Sequence, residues 1–135
     1  MTLKCLIIDD EPIARKLLQE YIEETDFLVL VGTAENPLKA TGLINDLAPD
    51  LIFLDINMPK MNGLEACRMI RQNNPQSEVL IVTQHDSPQM MREAGDAGAR
   101  GYVVKSNIAR DLVKAVQATS EHKAFGWKND PSRSN

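Results

Sequence analysis

The chain has 135 residues, of which 43% are hydrophobic, 4% aromatic and 25% charged, with a formal net charge of −4. That length fits one domain, whose core must be mostly Leu, Ile, Val and Ala. The acidic balance argues against a non-specific nucleic-acid binder, which needs a basic surface, and no run approaches the roughly 20 apolar residues of a membrane span.

Leu3 to Ile8 is a short apolar run that ends at Asp9-Asp10-Glu11, and it reads as a first strand. Because this strand-like sequence follows Met1 almost at once, no signal peptide is expected. Pro12 suits the first turn of a helix, whose apolar positions are Ile13, Leu17, Tyr21 and Ile22. Phe27 to Val31 is a second strand. Asn36-Pro37 pairs a cap with a helix-start proline, Leu38, Leu43, Ile44 and Leu47 follow, and Pro49 stops that helix. Leu51-Ile52-Phe53-Leu54 runs straight into Asp55, as expected of a fully buried third strand that delivers a carboxylate to its C-terminal end. Gly63 opens a third helix with Ala66, Met69 and Ile70 inward. Val79 to Val82 is a fourth strand, ending at Thr83. Ser87-Pro88 starts a helix carrying Met90, Met91, Ala94 and Ala97. Gly101 to Val104 is a fifth strand, ending at Lys105, and Ile108, Leu112, Ala115 and Val116 stripe a last helix.

Five strands alternate with five helices, and each crossover contains a helix. The expected fold is therefore α/β and flavodoxin-like: a doubly wound five-stranded parallel sheet, order 2-1-3-4-5, with helices on both faces. Residues 1–121 read as the folded domain. After Ser120 the apolar pattern fails, so 122–135 read as a flexible tail or the beginning of a linker. Cys5 and Cys67 fall inside a strand and a helix and read as buried free thiols in a reducing cytoplasm. His85 and His122 have no metal-ligand spacing.

In a parallel sheet the strand C-termini share one edge, where ligands bind. Asp9, Asp10, Asp55, Thr83 and Lys105 all fall there. Three carboxylates in one pocket repel each other unless a cation joins them, and oxygen donors suit Mg2+. Lys105 adds a point positive charge and Thr83 a hydroxyl donor. A carboxylate nucleophile, a divalent ion, an ammonium and a hydroxyl together suit phosphoryl transfer, with Asp55 as the group that forms an acyl phosphate. A lone aspartate at a strand end is more often a cap or turn residue, and a lone Thr or Lys there says almost nothing; the conjunction carries the reading.

Ile7-Ile8-Asp9-Asp10-Glu11, Asp55-Ile56-Asn57-Met58-Pro59 with Gly63, Thr83 and Lys105 resemble the motifs of the receiver domain of two-component response regulators, over roughly residues 3 to 120. The runs around Thr83 to Asp86 and Ala97 to Ser106 are most similar to receivers that precede a LuxR-type helix-turn-helix. The resemblance implies that Asp55 accepts a phosphoryl group from a phosphohistidine of a sensor histidine kinase or phosphotransfer protein. It implies that Asp10, Asp55 and the main-chain carbonyl of Asn57 hold magnesium, with Asp9 helping through water. Thr83 and Lys105 would contact the phosphoryl oxygens, and Tyr102 would turn inward when Thr83 is drawn to them. Asn57 and His85 would tune the lifetime of the phosphoryl group. The expected role is a phosphoacceptor in a phosphorelay, cytoplasmic, with slow autodephosphorylation rather than enzymatic turnover.

The face made by the helix from Ser87, the strand Gly101–Val104 and the helix from Ile108 would then switch, for a partner or a homodimer. Its mixed charges suit an ordinary solvated face equally well. No direct contact of this domain with nucleic acid or membrane is expected. Two residues depart from the family pattern. Gln84 stands where a small residue is usual and could narrow the route to Asp55. Ser106 stands where proline is common, which leaves the Lys105–Ser106 peptide geometry open. A dehalogenase-like phosphatase would want a second carboxylate at Asn57, and a flavin or nucleotide site would be repelled by Asp9-Asp10-Glu11. A degenerate receiver that binds partners without phosphorylation is the remaining alternative, and the presence of every site residue argues against it. Whether the chain acts alone or continues into an output domain stays open.

Overall fold

The computed structural model describes residues 2–58 and 62–126. Pro59 of the Asp55 motif and residues 127–135 of the expected tail lie outside the described residues. The elements are β1 (Leu3–Ile8), α1 (Pro12–Glu23), β2 (Leu28–Ala34), α2 (Pro37–Leu47), β3 (Leu51–Leu54), α3 (Gly63–Asn73), β4 (Glu78–Thr83), α4 (Pro88–Asp96), β5 (Gly101–Val104) and α5 (Ile108–Ser120), with one 3-10 turn at Lys105–Asn107. Each strand pairs in parallel with its neighbour, in the order β2-β1-β3-β4-β5. This is the doubly wound arrangement expected from the alternating pattern.

The sheet separates two cores by the two-residue period of its strands. Leu6, Ile8, Ile52, Leu54, Val79, Ile81, Tyr102 and Val104 face α2, α3 and α4. Cys5, Ile7, Leu51, Phe53, Leu80, Val82 and Val103 face α1 and α5. Burial of each large side chain in these layers contributes about 1.5–3 kcal/mol. Proline opens α1, α2 and α4, while the side chains of Asn36, Asn62 and Ser87 accept hydrogen bonds from the N–H groups of Lys39, Glu65 and Met90.

Several faces differ from the sequence reading. In α1 the buried positions are Ala14, Leu18 and Ile22, while Ile13 is 86% exposed and Leu17 48%. The inward stripe runs one residue over from the large apolar side chains, because a small Ala14 lets the helix approach the sheet. In α2, Ala40 is buried and Leu38 is exposed. In α3, Cys67 is buried and Met69 is exposed. β2 begins after Phe27 and extends to Ala34, because Gly32, Thr33 and Ala34 pair with Leu6, Ile7 and Ile8.

The segment His122–Gly126 is not loose either. His122 N–H donates to Thr119 O at 3.0 Å and Lys123 N–H to Ala118 O at 2.8 Å. The chain then forms a parallel bridge between Phe125 and Gly101 on the outer edge of β5. Phe125 packs against the α1/α5 core.

Candidate functional site

β1, β3 and β4 and the turn after β5 bring their polar ends to one edge. Asp9 N–H donates to Ala34 O at 3.0 Å, and Asp55 N–H donates to Ile8 O at 3.0 Å, so both acids continue the sheet ladder by one residue. Each carboxylate then accepts from the N–H two residues further on: Glu11 N–H to Asp9 Oδ1 at 2.9 Å and Asn57 N–H to Asp55 Oδ1 at 2.8 Å. These turns fix both side chains. Asp55 is 2% exposed and Asp9 is 1% exposed.

Lys105 meets them. Its Nζ lies 2.9 Å from Asp55 Oδ2 and 3.0 Å from Asp9 Oδ2, and it also pairs with Glu11 Oε1. Burial works against the ammonium charge, but bonds to Glu11, Asp55 and Asp9 outweigh it and hold the lysine pKa above its ordinary value. Burial also raises the pKa of Asp9, against the Glu11 N–H and Lys105 that favour its charge. The Lys105–Ser106 peptide is trans, as are all the described peptide bonds.

Thr83 is fully buried, and its Oγ1 has no hydrogen-bond partner among the described residues. A buried hydroxyl left so is costly and marks a place where an acceptor can be received. Behind it, Tyr102 is buried and donates its hydroxyl hydrogen to His85 O at 2.9 Å. Burial, then the charges of Asp86 and Asp55, raise the pKa of this phenol and keep it a donor. His85 Nε2 lies 3.0 Å from Asn57 Oδ1, linking the loop after β4 to the loop after β3, with Gln84 exposed next to His85 in the chain.

The carboxylate oxygens of Asp9, Glu11 and Asp55 come within 4.8 Å of one another. An all-oxygen set of this charge fits magnesium. Asp10, expected among the ligands, instead occupies the exposed bend that follows β1 and is absent from this group. The turn closed by Asp9 Oδ1 carries the chain past it and brings Glu11 toward Lys105. Glu11, which the sequence reading quoted in the motif but gave no role, is the third acid of this group. Its only signal was a third acid directly after Asp9-Asp10.

Gly63 lies beneath the loop. A Cβ there would come within 2.4 Å of Ile56 Cα, so only glycine lets α3 start against the backbone between Asp55 and Asn57.

A family model described as response regulator receiver domain matches residues 5–117. The transcriptional regulatory protein YdfI of Bacillus subtilis is 35% identical over 115 residues, which cover 85% of this chain and 54% of that protein. The response regulator protein VraR of Staphylococcus aureus is 33% identical over 120 residues, covering 89% and 57%. The crystal structure of a LuxR-family two-component response regulator from Aurantimonas sp. SI85-9A1 superposes with a TM-score of 0.87 at 31% identity, covering 98% of this chain and 93% of that one. The chain spans about half the length of the curated relatives it matches. None of the described helices is long and apolar enough to cross a membrane.

Proposed function

Because the chain belongs to the response regulator receiver family of two-component signalling, we propose that it accepts a phosphoryl group on Asp55 from a phosphohistidine of a sensor kinase or phosphotransfer protein. The observation that carries this reading is a buried Asp55 carboxylate beside the Lys105 ammonium, on the same edge as a buried Thr83 hydroxyl with no partner.

In the step itself, an Asp55 oxygen attacks phosphorus, the phosphorus–nitrogen bond breaks, and its electron pair returns to the donor imidazole. Lys105 leaves the carboxylates and pairs with a phosphoryl oxygen, while Thr83 donates its hydroxyl to another. Asp9 and Asp55, with Glu11 at hand, would hold a magnesium ion, and the family pattern adds Asp10 and the Asn57 carbonyl. When bound, that ion neutralises the carboxylates and the charge on the transferred group. Water later cleaves the acyl phosphate and returns Asp55, so the protein is a phosphoacceptor and not a turnover enzyme. The contact between His85 and Asn57, two residues beyond Asp55, would tune how fast that water reacts. In a longer protein the receiver would control an output domain; YdfI is named a transcriptional regulatory protein. The α4, β5 and α5 face would carry the change to a partner or a second copy.

The test is intact mass after incubation with magnesium and acetyl phosphate, and separately with a phosphohistidine donor, on wild type and Asp55→Ala. One added phosphoryl group on wild type alone is expected. No addition from either donor, or equal labelling of the alanine variant, overturns the assignment.

A further inference from the structure

The segment after α5 is tied to the sheet at two places of different character. The first anchor is a side-chain hydrogen bond at the N-terminal end of β4, away from Asp55. Glu78, a buried carboxylate, receives Arg71 Nη1 at 3.1 Å, Arg100 Nε at 2.8 Å and His122 Nδ1 at 2.7 Å. Together with the bonds of His122 and Lys123 back to α5, this fixes the start of the segment.

The second anchor lies on Tyr102. Phe125 N–H donates to Arg100 O at 3.2 Å, and Tyr102 N–H donates to Phe125 O at 2.9 Å. Gly126 follows at φ +106°, and a Cβ there would come within 2.3 Å of Tyr102 O and 3.0 Å of Tyr102 Cβ. The chain is therefore seated on the backbone of the residue whose hydroxyl holds His85 O. From there the contacts continue through His85 Nε2 to Asn57 Oδ1, and from Asn57 N–H to Asp55 Oδ1. One unbroken series of polar contacts runs from Asp55 to Phe125.

We propose that residues 122–126 form a strap whose outer half, Phe125–Gly126, reads the position of Tyr102, while its inner half stays fixed by Glu78 and α5. The coupling is reciprocal by thermodynamic necessity. Whatever secures the His85 carbonyl secures Tyr102, and with it the outer strap; whatever lifts the outer strap loosens Tyr102. The outer half of the strap is thereby tied to events at Asp55. This last clause rests on the phosphoacceptor reading; the Tyr102–strap coupling does not.

The test is amide hydrogen exchange on the full chain, which resolves the two halves. In unmodified protein, Tyr102→Phe removes the bond to His85 O but keeps the ring. Exchange at Phe125 N–H should accelerate about three- to tenfold, the scale of one net hydrogen bond, while Lys123 N–H is unchanged. Equal acceleration at both amides would mean a purely structural tyrosine and would overturn the proposal, as would no change at either. Gly126→Ala, which forces the outer strap off, should accelerate Tyr102 N–H and again spare Lys123; an unaltered Tyr102 amide counts against it. In the second arm, wild type is loaded with magnesium and beryllofluoride, and loading is verified by mass. Protection at Phe125 should then rise by about threefold or more, and Tyr102→Phe should abolish the rise. Loaded protein with unaltered Phe125 exchange overturns the link to Asp55. Failure to load leaves the first arm to decide the strap and counts against the phosphoacceptor reading instead.

Discussion

Lys105 Nζ sits 2.9 Å from Asp55 Oδ2, on the oxygen set that a divalent ion would use. Lysine and such an ion would therefore compete for the same carboxylates. Lys105→Ala should bind magnesium about three- to tenfold more tightly by calorimetry, since it removes a positive charge a few ångströms away. The same variant should take a phosphoryl group from acetyl phosphate at least about tenfold more slowly, having lost the cation that meets the transferred group. Unchanged magnesium affinity would show that the ammonium leaves the carboxylates at no cost.

Gly63→Ala tests whether the loop after Asp55 is positioned from below. Its new Cβ would meet Ile56 Cα at 2.4 Å and Ile56 O at 2.9 Å, both backbone atoms that cannot swing aside. Destabilisation of about 2 kcal/mol in urea is expected from the forced shift. Phosphorylation should fall about tenfold at a temperature where the variant is fully folded, because Ile56 joins the nucleophile to Asn57. Loss of stability with an unaltered rate would confine Gly63 to packing.

Glu78 gives the fold a defined acid sensitivity. Burial raises its pKa, but hydrogen bonds from His122 and Arg100, with the charges of Arg71 and Arg100, prevail and bring it below the ordinary 4.5. A carboxyl with a lowered native pKa stabilises in full above its unfolded value and loses that contribution as pH falls through the native one. Glu78→Gln should cost about 2 kcal/mol at pH 7, less than the 3–5 of a fully buried broken pair, because Arg100 and His122 reach solvent. The gap between wild type and variant should close between about pH 5 and pH 3 in urea titrations. A gap independent of pH would remove the charge of Glu78 from the account.

The α1 stripe provides a paired test in adjacent turns. Ile13→Ser should change stability by less than about 0.5 kcal/mol, as an exposed substitution does. Leu18→Ala should cost about 2–5 kcal/mol, since Leu18 is 1% exposed in the core cluster that also holds Ile7 and Ile22. Chemical denaturation of both variants decides it, and a costly Ile13→Ser would restore the face read from the sequence.

That pair also shows where the sequence is legible. The order of elements was readable because proline, asparagine and serine punctuate the helix starts and four-residue apolar runs have room only for strands. Asp55, Thr83 and Lys105 were readable because each ends such a run. Helix faces were harder: Ala14, Ala40 and Cys67 are among the buried positions, and small side chains carry little weight in an apolar pattern beside Ile13, Leu38 and Met69. The pairing of Glu11 with Lys105 was not readable, because the hydrogen bond from Glu11 N–H to Asp9 that accompanies it is invisible in the spacing. His122 to Gly126 looked like tail because its attachments to Glu78, Arg100 and Tyr102 are all distant in sequence.

The two thiols lie on opposite sides of the sheet, Cys5 in the α1/α5 layer and Cys67 in the layer of α2, α3 and α4. Burial, the largest influence on each, pushes both up to about 12. At neutral pH neither is a nucleophile until its own layer opens, so alkylation of each cysteine is a clock for one face of the molecule. Matching clocks would mean that the sheet parts from both helical layers in a single cooperative event. A faster Cys67 would mean that the side carrying α4 breathes on its own, with the α1/α5 side held shut as the fixed wall against which the other moves.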